Sequence, residues 1–165
     1  MPTGENHSFG LFDGTNSLYA VIVLGTGVNP YQASFLKCLA PIEIKRLARS
    51  EPARTEWPMS KFISVTLRLL RKEMDFDAVV AFADPEHGHE GTVYKAAGFK
   101  HEGMSNAEFH TIDEAGNMRH RRFAFRYARR NKISIEEARR QLNLERKQTA
   151  PKHRWVRRYT RYPPV

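Results

Sequence analysis

The segment DAVVAFAD, residues 77–84, decides the fold. Between its two acids run six apolar residues, too few for a core helix and too continuous for a strand with one wet face, so the segment reads as a central strand covered on both sides. Asp84 and Pro85 end it. The turn PEHGHEG follows, and then TVYKAAGF, in which Tyr94, Ala97 and Gly98 predict a short helix over 91–97 closed by Gly98 in the left-handed conformation. A carboxylate at the carboxyl end of a buried strand stands where open α/β sheets hold their ligands. On that ground Asp84 is a candidate general base; the other reading is that it caps the turn, as aspartate before proline commonly does.

Working outward, FKHEGM restarts a strand after the helix. Toward the N-terminus, SFGLFDGTNSLYAVIVLGTG predicts a hairpin around DGTN, residues 13–16, whose second arm is too β-branched for a helix. A loop is expected around Asn29 and Pro30. Next, Ile42, Ile44 and Leu47 set against Glu43, Lys45 and Arg46 predict a third strand over 41–48. Pro52 and Pro58 punctuate a loop, Ser60 is expected as an N-cap, and Phe62, Ile63, Thr66, Leu67 and Leu70 recur at helical spacing over 61–73. Beyond the central region, AEFHTI…NMRHRRFAFRY reads as a second hairpin around DEAGN. Ser134 with Glu137 forms a capping box before a helix expected to run to Lys147. The order of elements predicts one α/β domain over 1–165, with a mixed, mostly antiparallel sheet flanked by helices. Its core is expected over about 6–127, with a basic C-terminal helix and tail over about 128–165.

At 165 residues the chain can bury a core without staples, and its one cysteine, Cys38, excludes an internal disulfide. No window is apolar enough for a bilayer span and the N-terminus lacks a secretory pattern, so a reducing cytoplasm is the expected compartment. The net charge of +9 is unevenly held. Residues 1–99 carry ten Lys and Arg against eleven Asp and Glu, whereas residues 100–165 carry seventeen against seven. A concentrated positive surface points to a polyanion, and the aromatics interleaved in RHRRFAFRYARR and KHRWVRRYTRYPP favour nucleic acid over a membrane surface. For any single arginine a solvated surface charge is the simpler reading; only the clusters carry weight.

Within the central turn, His87 and His89 lie two apart and His101 follows, a weak metal signal with no cysteine partner, so one of them at most is expected to act as acid, base or ligand. Gly88 and Gly91 bracket His89 and allow close backbone approach. Tyr94 is either core or an acid one turn into the helix, able to protonate a leaving thiolate.

The strand, long helix, strand and TVYKAAGF succession resembles the acyl-CoA-dependent N-acetyltransferase fold. More specifically, NHSFGLFDG, IEIKRLA leading to SKFISVTLRLL, FADPEHGHEGTVYKAAGF, RHRR and KHRWV together resemble the Mom-type DNA modification proteins of bacteriophages, in the same order over most of the chain. The resemblance implies modification of the adenine N6 amine of double-stranded DNA to a carbamoylmethyl form that shields phage DNA from host restriction. It places Asp84, His89, Gly91 and Tyr94 on the family's central motif. Glu43 and Arg46 fall on its acid and arginine strand, and Ser60 on the serine opening its long helix. His120, Arg122, Lys152, His153 and Arg154 fall on its basic elements. The catalytic set expected is Asp84, His89, Tyr94 and Glu43. The group donor, acetyl-CoA or another acyl or aminoacyl donor, is expected near Arg54, Ser60, Lys61 and Gly91. DNA contacts are expected from Arg119, Arg121, Arg122, Arg129, Arg130, Lys152, Arg154, Arg157 and Arg158. Members commonly carry a His-Tyr pair upstream of the segment that here begins at Asn6; iron is tied to that region, and this sequence lacks the pair. The segment SEPARTEWPMSK also lacks the glycines of an acetyltransferase pyrophosphate turn, with Arg49, Arg54 and Lys61 as the charges that would replace them. Two alternatives stand beside this reading: an acetyltransferase of a small amine or protein lysine, and a non-catalytic DNA-binding protein using the helix over 134–147.

Overall fold

The computed structural model describes residues 6–26, 32–50, 57–107, 109–119 and 122–159. Fifteen elements follow one another: β1 (Asn6–Phe12), β2 (Leu18–Thr26), α1 (Gln32–Leu36), β3 (Pro41–Arg49), α2 (Met59–Glu73), β4 (Ala78–Ala83), a 3-10 turn (Pro85–His87), α3 (Thr92–Ala96), β5 (Lys100–Met104), β6 (Phe109–Ile112), β7 (Met118–Arg119), α4 (Arg122–Asn131), α5 (Ile135–Gln141), β8 (Glu145–Gln148) and β9 (His153–Arg158). Two sheets result, a six-stranded one in the order β1-β2-β3-β4-β9-β5 and a three-stranded one in the order β7-β6-β8. Among the described strands only β3 and β4 run parallel, with α2 as their crossover. The α/β class and the mixed, mostly antiparallel sheet expected from the sequence are what the chain forms.

The β1–β2 hairpin turns where Asp13 Oδ1 accepts from the backbone N–H groups of Thr15 and Ser17, both at 2.8 Å. The central run 78–83 is buried along its length, as its composition requires. Alternation then divides it: Val79, Ala81 and Ala83 pack with Phe62, Ile63, Leu67 and Leu70 of α2, whereas Ala78 and Val80 pack with Leu36 of α1 and Val156 of β9. The spacing of Ile42, Ile44 and Leu47, which breaks strict alternation, has a structural cause. Lys45 is an extra residue between the pairs Ile44–Leu24 and Arg46–Val23, and this β-bulge shifts Leu47 back to the α2 side.

Several expectations are corrected. The loop expected around Asn29 and Pro30 lies outside the described residues, and beyond it Gln32–Leu36 forms the short helix α1. Helix α2 starts at Met59 with Pro58 at its N-cap position and no side-chain cap, so Ser60 lies inside the first turn. Pro58, preset to its φ of −58°, supplies through its carbonyl the acceptor for Lys61 N and Phe62 N. The second hairpin is real but short: after β7 the segment RFAFRYARRN is helix α4, because Ala124 and Ala128, four apart, are the buried positions and Phe123 and Phe125 are not. The Ser134 cap is present, donated to by Glu137 N at 3.0 Å, but α5 ends at Gln141 and residues 145–148 pair with β6. The KHRWV segment of the expected tail is no appendage. It forms β9, an inner strand hydrogen-bonded to β4 and β5 on its two sides, with Trp155 and Val156 buried.

Candidate active site

The parallel pairing of β3 and β4 lasts only three positions, from Pro41–Ala78 to Glu43–Val80. The bulge at Lys45 begins just beyond and bends β3 toward β2, while β4 continues against β9. Between the parting strands opens a cleft of about 850 Å³. Arg46 and Arg49 of β3 line one wall; Asp84, His89, Gly91 and Tyr94 line the other, with Met59 and Ser60 at the start of α2. Four residues read as one motif in the sequence thus face a single space.

Asp84 ends β4 and accepts from Glu86 N at 3.1 Å, which starts the 3-10 turn. Its carboxylate also meets Lys152 Nζ at 3.4 Å and His87 Nδ1 at 3.5 Å. Partial burial alone would raise its pKa, but the Glu86 N–H, Lys152 and His87 outweigh that and hold the carboxyl below its ordinary value. Both readings of Asp84 therefore meet in one residue: it caps the turn and it presents a charged acceptor to the cleft. Lys152, expected as a DNA contact, is the partner that fixes that charge.

His89 is exposed at the rim, its backbone N–H donated to Asp84 O at 3.0 Å. Gly91 has φ +80°, and a Cβ there would stand 2.0 Å from Trp155 Nε1; no other residue fits. Nothing local in the sequence signals that contact, since Trp155 comes from the far end of the chain. Tyr94 is 8 % exposed, lies against Phe99 and is held protonated by a pKa that burial raises. Glu43 stands elsewhere: half-buried, it alternates with Ile42 and Ile44 and so points to the sheet face opposite α2, outside the residues lining the cleft. Lys61 Nζ lies 4.5 Å from the Trp57 ring centroid, beside the cleft's α2 end. Arg54, His120 and Arg121 lie outside the described residues.

The expected DNA contacts divide by environment. Arg154 donates to the carbonyls of Glu102 and Met104 and stacks on Phe35; Arg157 donates to Ala97 O at 2.8 Å; Arg158 pairs with Glu102 at 2.8 Å and donates to Leu36 O at 2.7 Å. These three hold β9 to its neighbours. Arg119 is bound to Asp113 at 2.7 Å. Arg122 opens α4 and Arg129 and Arg130 lie in its last turn. His153, carried over from the basic elements, shares a hydrogen bond of 3.1 Å with His101 on β5. Among the described residues no group of three or more His, Cys, Asp and Glu converges as a metal site.

The model of the Mom protein family matches residues 1–162. This chain belongs to the Mom protein family. No curated protein matches it. Membership makes it a DNA-modifying protein of the phage type, with DNA as what it acts on. No helix among the described residues is long and apolar enough to cross a membrane.

Proposed function

We propose that this Mom-family protein transfers a carbamoylmethyl or acetamido-type group to the N6 amine of adenine in double-stranded DNA, shielding that DNA from restriction. The observation that carries the reading is the gathering of Asp84, His89, Gly91 and Tyr94 on one wall of the cleft.

The amine is a weak nucleophile because its lone pair is drawn into the ring, and inside a duplex it is out of reach, so the nucleotide must swing out into the cleft. Asp84, ionised and fixed by Lys152, accepts a hydrogen bond from the amine and aligns it. The N6–carbon bond forms as the donor's leaving group departs with its electron pair. The lowered Asp84 pKa suits a group that orients the amine before attack; once the new bond has made the N6 proton acidic, it passes through Asp84 to solvent, while Tyr94 or His89 delivers a proton to the leaving group. An acyl or aminoacyl donor on a phosphorylated carrier fits the α2 end of the cleft, where Met59 and Ser60 precede the first turn's internal bonding and no acid lies in that turn. When bound, a donor attacked at its carbonyl would supply an acyl group and yield an N6-amide, whereas the carbamoylmethyl product requires a donor whose leaving group sits on the methylene carbon of the –CH2–C(=O)NH2 unit.

Mass spectrometry of nucleosides from the DNA of cells making the protein tests the reading. A new adenosine species, absent with Asp84→Asn at equal folded yield, is the expected result. Unchanged nucleosides with the native protein would refute it.

A further inference from the structure

The segment between Ser105 and Lys152 forms a second sheet, three-stranded, with α4 and α5; it leaves the main sheet after β5 and rejoins it before β9, at a neck. At the neck Ser105 N donates to Lys152 O at 2.8 Å and Lys152 N to Ser105 Oγ at 2.9 Å. The same neck touches the cleft rim twice, through Lys152 to Asp84 and through Ala150 N to Glu86 Oε1 at 3.2 Å. The unit is therefore joined to the main sheet next to Asp84. Residues 106–149 carry eleven Lys and Arg against six Asp and Glu.

Helix α4 shows what it holds. Ala124 and Ala128 are buried and face α5, so Arg126 lies on the opposite side, with Arg129 and Arg130 flanking it. Among the described residues these three arginines make no ion pair or hydrogen bond through their guanidinium groups. Along the two margins of this stripe stand Phe123 and Phe125, 43 % and 52 % exposed. Exposed phenylalanines beside unpaired arginines are unfavourable in water and complementary to a nucleic acid, whose phosphates take the cations and whose base faces take the rings.

We propose that α4 is the duplex-engaging helix, Arg126, Arg129 and Arg130 lying on phosphates and Phe125 entering the base stack as the wedge that fills the gap left by the extruded adenine. Filling such a gap offsets lost stacking, and apolar wedges of this kind kink and open a duplex. This rests on the DNA-modification reading above and adds the surface that delivers the base to the cleft.

The test uses the full chain and two probes: a fluorescein-labelled mixed-sequence duplex, and the same duplex with 2-aminopurine in place of adenines, whose emission rises on unstacking. Replacing Arg126, Arg129 and Arg130 together by Gln should flatten the dependence of log affinity on log salt by about 0.9 for each phosphate no longer neutralised. Phe125→Ala should keep the native salt slope but abolish most of the 2-aminopurine rise, and Phe125→Trp should restore it. An unchanged slope in the arginine variant, an unchanged rise in Phe125→Ala, or tighter binding to a structured RNA than to the duplex would overturn the proposal. Failure here with modified adenosine still formed in cells, and undiminished by these substitutions, leaves the catalytic reading standing. Loss of modified adenosine from the native protein alone strikes that reading instead.

Discussion

At the scale of single residues, the cleft wall depends on how closely Gly91 meets Trp155. Gly91→Ala must place a methyl into the indole and hold φ at +80°, so a loss of about 3 kcal/mol is expected from urea denaturation. Gly88→Ala has φ +70° but open space around it, and about 1 kcal/mol is expected, from backbone strain alone. Asp84→Asn keeps a cap for Glu86 N while losing the attraction of Lys152, so it should fold with a stability change under about 1 kcal/mol. Its acid response should differ in sign-defined fashion. Because the folded Asp84 pKa lies below 3.8, its partners stabilise the fold fully above that value and the contribution disappears as pH falls through the lower folded value. Acid-unfolding curves of native protein and Asp84→Asn should run parallel above about pH 4 and converge below it, with Asp13 and Asp113, also lowered, unaffected by the substitution.

Elements differ in how plainly their residues announce them. The run 78–83 and the α2 face are legible because burial on both sides, or on one side at helical spacing, leaves no alternative pattern. The turn carrying Asp84, His89, Gly91 and Tyr94 is legible too, since strand end, short helix and glycine caps all follow locally. β9 is not. HRWVRR reads as a charged tail because three of its six residues are arginines, yet their stems lie along the sheet and their heads reach carbonyls and Glu102. α4 misleads because Phe123, Phe125 and Tyr127 mimic strand alternation, whereas the helix buries small alanines, leaves Phe123 and Phe125 exposed and half-buries Tyr127. Neither pairing is visible without the distant partner strand or helix. Trp155→Ala, in the middle of β9, should cost about 4 kcal/mol by calorimetry or denaturant, more than any single surface arginine of α4.

At the scale of the molecule, the neck at Ser105 and Lys152 divides the chain into a sheet that holds the cleft and an outer unit that carries α4. Replacing residues 107–148 by a short Gly-Ser link should leave a folded main sheet, seen as a cooperative thermal transition, while duplex binding falls to background. The sheet order has another implication. β4 and β5 are not hydrogen-bonded to each other; each waits for β9, the last described strand to leave the ribosome. A nascent chain with everything up to β8 emerged still exposes two raw strand edges beside Ala81 and His101, an invitation to mispairing between neighbouring polypeptides. Slower, cooler synthesis or abundant chaperone should accordingly raise the recovered yield of this protein far more than that of a fold whose sheet closes in order of translation.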